Sequence, residues 1–174
     1  QTGHRIKEAA LITKVNKKVC FYITDIKEEN GQITVYCSRR DVQKQVFDEY
    51  ISNLKPGDVI PCTVTHIDSF GVFCDVAAGI TALLPIDFIS TSRIAAPSER
   101  FTVGQNIFAC IKSIDENERI VLTHKELLGT WQENADLYTP FSTATGIVRS
   151  IENYGIFIEL TPNLAGLAEV CEGV

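Results

Sequence analysis

Two stretches of this chain repeat one another without a gap. Residues 64–75 read VTHIDSFGVFCD, and residues 148–159 read VRSIENYGIFIE. The match aligns Gly71 with Gly155 and keeps an aromatic residue directly before each glycine. Self-similarity at a fixed spacing is typical of chains assembled from copies of one small structural unit. We therefore predict a tandem array of small modules rather than one large domain.

The residues after each glycine alternate with a period of two, as in a half-buried β-strand. In the first copy Val72, Cys74 and Val76 fall on one face, and Phe73 falls on the other. The second copy alternates in the same way and turns Phe157 outward. Period-two alternation predicts a strand whose aliphatic face meets the core. Each copy therefore places a phenylalanine on the outer face, where a polar side chain is usual.

Each outward phenylalanine has a second aromatic residue near it, in the predicted turn. These residues are Phe70 and Tyr154, and the glycine after each one suits a turn with positive φ or a close backbone approach. Outward aromatic side chains favour a surface that stacks on nucleobases. The alternative is that the turn aromatics brace the turn and that Phe73 and Phe157 pack against a neighbouring module or linker helix.

Further short strands flank each predicted hairpin. Strands are predicted over residues 59–67 and 145–151 before the two turns, and over residues 80–84, 103–114 and 120–122 after the first hairpin. One complete module therefore has five short strands over about seventy residues. Short strands joined by tight turns favour a closed barrel or a sandwich.

Two segments between the modules have the character of helical linkers. RRDVQKQVFDEYISNL carries apolar residues every four positions, and KELLGTWQENADLY carries a weaker pattern interrupted by Gly129. Residues before 41 echo the end of a module, so the chain is expected to be a piece of a longer array. The predicted divisions are 1–41 (second half of a first repeat), 42–55 (linker helix), 56–125 (complete repeat), 126–140 (linker) and 141–174 (first half of a third repeat).

The charge balance limits how the chain could bind nucleic acid. The net charge is −6 and the pI is about 5.1. Phosphate contacts usually come from basic patches, so this balance argues against tight, nonspecific binding of duplexes. It remains compatible with base stacking supported by a few local cations.

The cysteine pattern and the distribution of apolar residues predict a reduced, cytoplasmic protein. None of the six cysteines forms a CxxC pair, and most lie within apolar strand patterns, so small buried residues are favoured over metal or disulfide roles. No apolar run approaches the ~18 residues of a membrane span, and the N-terminus does not resemble a signal peptide. We expect no cofactor, no metal and no membrane partner.

No arrangement typical of an enzyme is present in the sequence. There is no HExxH motif, no glycine-rich phosphate loop, and no Ser, His and Asp grouping in a supporting context. The chain is therefore predicted not to be an enzyme.

The complete repeat resembles a known family. LKPGDVIPCTVTHIDSFGVFCDVAAGITALLP, followed by VGQNIFACIKSIDENERIVLTHKE, resembles the S1 RNA-binding domain, with full coverage of residues 55–128. The resemblance implies an all-β fold of tandem five-stranded OB-fold barrels with short helical linkers, in which one face of the barrel binds single-stranded RNA. The stretch LTHKELLGTWQENADLYTPFSTATGIVRSIENYGIFIEL is similar to multi-repeat bacterial ribosomal-type proteins of the small subunit, notably those of low-GC Gram-positive bacteria.

The resemblance also implies a set of RNA-binding residues. The two stacking aromatics of the family fall on Phe70 and Phe73, and its acidic and basic pair near the last turn falls on Asp115 and Arg119. A histidine usual in the family is replaced by Pro85. The remaining predicted RNA-binding residues are Tyr154 and Phe157 in the third repeat, with His66, Lys112 and Arg149 on strands.

The charged members of this set have a simpler interpretation. Arg119 could pair with Asp115 as a surface ion pair of small energetic value. His66, Lys112 and Arg149 could each be an ordinary solvated side chain.

Three functional hypotheses follow. The first is a monomeric, non-catalytic array that binds single-stranded RNA, is related to translation and has the ribosome as a possible partner. The second is a protein-interaction scaffold, which the acidic balance and Pro85 favour. The third is an accessory RNA-binding region of an RNA-processing enzyme. Fold analogy alone does not decide among them.

Overall fold

A computed structural model of the chain describes residue 15 and residues 18–169. The predictions that concern residues 1–14, 16–17 and 170–174 lie outside the described residues. They include the start of the first predicted repeat, the end of the third, and Cys171.

The described residues form ten strands and two α-helices. The strands are β1 (Tyr22–Glu29), β2 (Gln32–Ser38), β3 (Val59–Asp68), β4 (Gly71–Ala77), β5 (Ile80–Pro85), β6 (Asn106–Ile114), β7 (Ile120–Thr123), β8 (Ile147–Glu152), β9 (Gly155–Thr161) and β10 (Leu164–Glu169). The helices are α1 (Arg39–Glu49) and α2 (Trp131–Ala135). Short 3₁₀ turns cover Ile51–Asn53, Ile86–Phe88, Pro97–Glu99 and Lys125–Leu128. Neither α-helix in the described ranges has the length and apolar composition that crossing a bilayer requires.

The chain divides into two compact units. The first comprises Gln1–Asn53 and Ala77–Ile80, and the second comprises Leu54–Val76 and Thr81–Val174.

The first unit contains the antiparallel β1–β2 hairpin and α1. Ser38 caps α1, because its Oγ accepts a hydrogen bond from the Asp41 amide at 3.2 Å. The hairpin is exposed on both faces, and Cys20 and Cys37 are exposed with it. The prediction of burial was therefore wrong for these two cysteines, because a two-stranded ribbon encloses no core of its own.

The second unit is built around a closed five-stranded barrel. The strand order is β3-β4-β5-β7-β6, and β3 closes the barrel by pairing with both β4 and β6. The β3–β4, β3–β6 and β6–β7 pairs are antiparallel, and β5 and β7 run parallel. The chain is thus mostly β with an OB-like barrel, as predicted. The other described strands form a two-stranded sheet, β1–β2, and a three-stranded sheet, β8–β10, rather than further closed barrels.

The barrel core follows the alternation in the sequence. Val72, Cys74 and Val76 are buried on β4, as predicted, and Leu84 and Ile111 are fully enclosed. The Cys62 and Cys74 thiols are neighbours in this core, and the hydrogen bond to Cys62, together with burial, raises the pKa of Cys74. These cysteines therefore behave as small core residues.

The β8–β9 pair reproduces the β3–β4 pair in detail. In both pairs the register shifts by one residue in the middle of the first strand, which is the signature of a β-bulge. The pairs on either side of the shift are Val64 with Cys74 and His66 with Phe73 in the barrel, and Val148 with Ile158 and Ser150 with Phe157 in the β8–β10 sheet. The sequence repeat is therefore also a repeat of backbone structure.

The glycine of each hairpin is required by a close backbone approach rather than by a positive φ. A Cβ at Gly71 would lie 2.6 Å from the carbonyl oxygen of Leu84, and one at Gly155 would lie 2.6 Å from that of Ala168. Backbone cannot yield as a flexible side chain does, so even a methyl group forces the strands apart.

Gly71→Ala is expected to lower the free energy of unfolding by about 2 kcal/mol, because it overpacks the β4–β5 contact. Urea denaturation followed by circular dichroism measures this. Gly166→Ala is the matched control, since the nearest atom to its new Cβ would be 3.8 Å away. Equal stability of the two variants would contradict the conclusion that close backbone approach requires glycine at position 71.

Candidate nucleic-acid interface

Three rings predicted as RNA-binding form one cluster on the barrel. Phe73 lies on the outer side of β4, His66 lies beside it on β3, and Phe70 lies in the turn between these strands. The His66 and Phe73 rings are stacked with centroids 6.0 Å apart, and Phe70 meets Phe73 edge to face at 5.8 Å. Phe70 is 50% exposed. The cluster therefore offers π faces to solvent on a rigid sheet.

The β8–β10 sheet carries a second pair with the same geometry. The Tyr154 and Phe157 rings lie 6.2 Å apart with an interplanar angle of 89°, and the Phe70–Phe73 pair has 88°. Tyr154 is 60% exposed. Because the hairpin, the bulge and the glycine recur in both copies, the local backbone sets the ring geometry in the same way twice.

Asp115 organises the turn that carries Arg119. The Asp115 carboxylate accepts hydrogen bonds from the backbone amides of Asn117 and Arg119, both at 2.8 Å. Glu118 adopts a positive φ of 61° within this turn. Among the described residues the Arg119 guanidinium makes no ion pair, and it is exposed. Asp115 therefore positions Arg119 through the backbone and leaves its charge available.

The ammonium group of Lys112 contacts the ring of Phe88, a residue that no sequence pattern marks as functional. Its Nζ lies 5.3 Å from the centre of the Phe88 ring, and the Nζ of Lys125 lies 5.1 Å from the same ring. Two ammonium groups are thereby held close together by cation–π contacts. Phe88 and Lys125 lie far apart in sequence, so no local pattern indicated this grouping.

Arg149 occupies a different environment from the other predicted residues. Its Nε donates to Glu159 Oε2 at 2.7 Å, and its Nη1 donates to Glu99. The hydrogen bond from Arg149 to Glu159 raises the pKa of the arginine, burial opposes this, and Glu99 adds to the increase. Its side chain is 17% exposed. This guanidinium is engaged by two carboxylates, so it offers little free charge to a phosphate.

Glu159 is the centre of this ion-pair network, which joins the β8–β10 sheet to the barrel's β5–β6 connection. Its side chain is 4% exposed and also accepts a hydrogen bond from Arg100. Burial alone would raise the pKa of Glu159, but the hydrogen bonds from Arg149 and Arg100 outweigh burial and hold that pKa below its ordinary value. The carboxylate is therefore ionised at neutral pH.

Asn163 anchors the turn between β9 and β10 in the same interface. Its Nδ2 donates to the carbonyl oxygens of Lys125 at 2.8 Å and Gly129 at 2.7 Å. Its Oδ1 accepts from the Thr91 amide at 2.9 Å. Because a buried amide saturated in this way is costly to displace, the barrel and the β8–β10 sheet are held in a defined arrangement.

Comparison with known proteins decides the family of the barrel. Residues 53–125, which include all five barrel strands, match the family model described as "S1 RNA binding domain". The chain contains an S1 domain. This confirms the family that the sequence resembles.

Full-length relatives extend the similarity beyond the S1 domain. The chain is 35% identical over 164 residues to "Small ribosomal subunit protein bS1" of Rhodopseudomonas palustris, with 91% of this chain and 28% of that protein covered. It is 30% identical over 156 residues to the protein of the same name from Staphylococcus aureus strain COL, with 86% and 39% covered. The chain thus spans well under half the length of these relatives.

The comparison with solved structures found similarity over part of the chain. The solution structure of GSP13 from Bacillus subtilis is 16% identical, covers 53% of this chain and 78% of its own, and superposes with a TM-score of 0.42.

The fold brings some of the predicted residues together and leaves others apart. His66, Phe70 and Phe73 form one cluster, whereas Lys112 lies at Phe88 and Arg149 lies in the ion-pair network. No group of three or more His, Cys, Asp or Glu side chains within the described ranges is arranged to hold a metal ion.

Proposed function

We propose that the chain binds single-stranded RNA by stacking bases on two aromatic surfaces, Phe70–Phe73 with His66 on the barrel and Tyr154–Phe157 on the β8–β10 sheet. The observation that carries the proposal is the repetition of one exposed ring geometry in both copies. Stacking on a ring contributes ~1–3 kcal/mol per base and tolerates any sequence. Bases in a duplex are already stacked, so the surface favours a single strand.

A few cations supply the phosphate contacts in this proposal. Arg119 is exposed, and Lys112 and Lys125 are held together at Phe88. A chain with a net charge of −6 cannot rely on a general electrostatic field, so stacking provides most of the affinity. Asp115 contributes by shaping the turn around Arg119.

The wider proposal is a tandem array of S1 modules. The β8–β10 sheet serves as the first half of a following module and the β1–β2 hairpin as the second half of a preceding one, with divisions at 1–41, 42–55, 56–125, 126–140 and 141–174. Linked modules bind one strand with a raised effective concentration, so each can bind weakly. The names of the relatives support a non-catalytic, cytoplasmic role in association with the ribosome during translation. The proposed array acts as a monomer.

Fluorescence anisotropy with a labelled single-stranded oligo-U and with an RNA duplex tests this function. We expect micromolar binding to the single strand and at least tenfold weaker binding to the duplex. Two to four phosphate contacts predict that the logarithm of the association constant falls against the logarithm of the salt concentration with a slope of about −1.5 to −3.

Two results would contradict the proposal. A folded sample that binds neither RNA would remove RNA as the ligand and leave the protein-interaction scaffold, which the acidic balance favours. A slope much steeper than −3, with equal affinity for both RNAs, would indicate electrostatic binding without stacking.

A further inference from the structure

A groove runs between the barrel and the aromatic surface of the β8–β10 sheet. Residues 92–95 and Glu99, from the barrel's β5–β6 connection, form one wall. The other wall carries Ser150, Tyr154 and Phe157 from β8, β9 and their turn. Its volume of about 610 Å³ lies within the ~300–1,000 Å³ of ligand sites. The second aromatic pair therefore borders a two-sided groove instead of an open sheet.

Arg93 is the available cation of this groove. Its side chain is exposed, and among the described residues it makes no ion pair. Arg149 also lines the groove, but its guanidinium is engaged by Glu99 and Glu159. The β8–β10 sheet, which carries the rings, thus has its own arginine occupied, and the barrel's β5–β6 connection supplies another one across the groove.

We propose that this groove holds one nucleotide of a single-stranded RNA, with the base against Tyr154 and Phe157 and the phosphate bound by Arg93. The site is composite, because neither the barrel nor the β8–β10 sheet carries all of it. The inference rests on the proposed function, and it adds Arg93 as a binding residue and a junction between two modules as the place of binding.

The junction is rigid enough to act as a site. The Ser92 amide donates to the Pro162 carbonyl at 2.9 Å, and its hydroxyl donates to the Thr161 carbonyl at 3.1 Å. These bonds fix the residue next to Arg93 against the β8–β10 sheet. The groove therefore exists before RNA arrives, which lowers the ordering cost of binding.

The charges along the groove allow a phosphate but do not attract one strongly. Glu99 is neutralised by Arg149, which leaves Arg93 and Glu152 as the groove charges without an ion pair among the described residues. Glu152 should repel a phosphate that Arg93 attracts. Opposite effects of removing these two charges are therefore a signature of a nucleotide in the groove.

Anisotropy of labelled oligo-U with single variants tests the proposal. Arg93→Gln is expected to weaken binding about fivefold, and Glu152→Gln to tighten it about twofold. The control is Arg40→Gln, which removes an exposed arginine from α1 and should leave affinity unchanged. Equal affinities of Arg93→Gln and Arg40→Gln would overturn the composite site.

A double-mutant cycle tests whether Arg93 and the rings hold the same nucleotide. In the Tyr154→Ala/Phe157→Ala background, Arg93→Gln should cost less than twofold further, because the nucleotide has already left the groove. If the fold-losses of affinity from Arg93→Gln and from the ring substitutions multiply fully, the arginine and the rings act independently. That result would overturn the composite site.

The same set of variants distinguishes failure of the composite site from failure of RNA binding by the whole chain. If Phe70→Ala/Phe73→Ala loses binding while Arg93→Gln does not, the composite site fails and the barrel surface remains. If the folded wild type does not bind oligo-U, both fail.

Discussion

Replacing both rings of the barrel surface, Phe70→Ala with Phe73→Ala, is expected to weaken binding of single-stranded RNA about 100-fold. In the proposed binding mode each ring stacks on a base, and ~1.4 kcal/mol per ring corresponds to tenfold each. Phe70 is half-exposed in the turn, and Phe73 lies against both Phe70 and His66 on the outer face of β4. The barrel core lies on the other face, so the fold should survive. Anisotropy with oligo-U measures the loss.

A matched control separates stacking from a general loss of aromatic surface. Phe108 on β6 is 62% exposed and makes no ring–ring contact among the described residues, so Phe108→Ala should retain wild-type affinity. Far-ultraviolet circular dichroism and the unfolding midpoint should show a folded double variant. Loss of folding would mean that the rings belong to the core, and unchanged affinity would remove the barrel surface as the binding site.

Glu159→Gln is expected to destabilise the β8–β10 sheet by about 3 kcal/mol. The carboxylate is buried and accepts hydrogen bonds from Arg100 and Arg149, so an amide leaves two partly buried guanidinium groups without their main counter-charge. Hydrogen exchange of the β9 amides measures the local opening free energy. Glu152→Gln on the exposed end of β8 is the control and should change it by less than ~0.5 kcal/mol.

The same carboxylate predicts how stability depends on pH. The pKa of Glu159 in the folded chain lies below its ordinary value of 4.5, and that of Glu99 is lowered as well. The unfolded chain therefore binds protons more readily, so the stabilisation is fully present above about pH 4.5 and is lost as the pH falls below it. Glu159→Gln should flatten most of this dependence. An unchanged acid profile would contradict a stabilising role for the network.

The sequence predicts the barrel well because the patterns that indicate its strands and turns span only a few neighbouring residues. Period-two alternation on β4 identifies the buried residues Val72, Cys74 and Val76, and the repeat identifies the hairpin with its glycine. The sequence could not show whether glycine is needed at position 71 for a positive φ or for a close backbone approach. The close approach involves the carbonyl oxygen of Leu84, which lies on another strand.

The contacts of the charged residues could not be predicted in this way. Arg149 sits on a strand as an ordinary exposed arginine would, and only the packing of the β8–β10 sheet on the barrel brings Glu99 to it. Arg93 lies in an irregular segment without periodicity and becomes notable only because Phe157 lies across the groove. Ion pairs and composite grooves depend on contacts between residues far apart in sequence.

The most direct test of the account is photo-crosslinking of the chain to a single-stranded RNA that contains 4-thiouridine, with the crosslinked residues mapped by mass spectrometry. Stacking on the two aromatic surfaces predicts crosslinks at Phe70 or Phe73 and at Tyr154 or Phe157, each lost in the corresponding alanine variants. Crosslinks confined to α1 or to the β1–β2 hairpin, from a sample that binds the RNA, would contradict it.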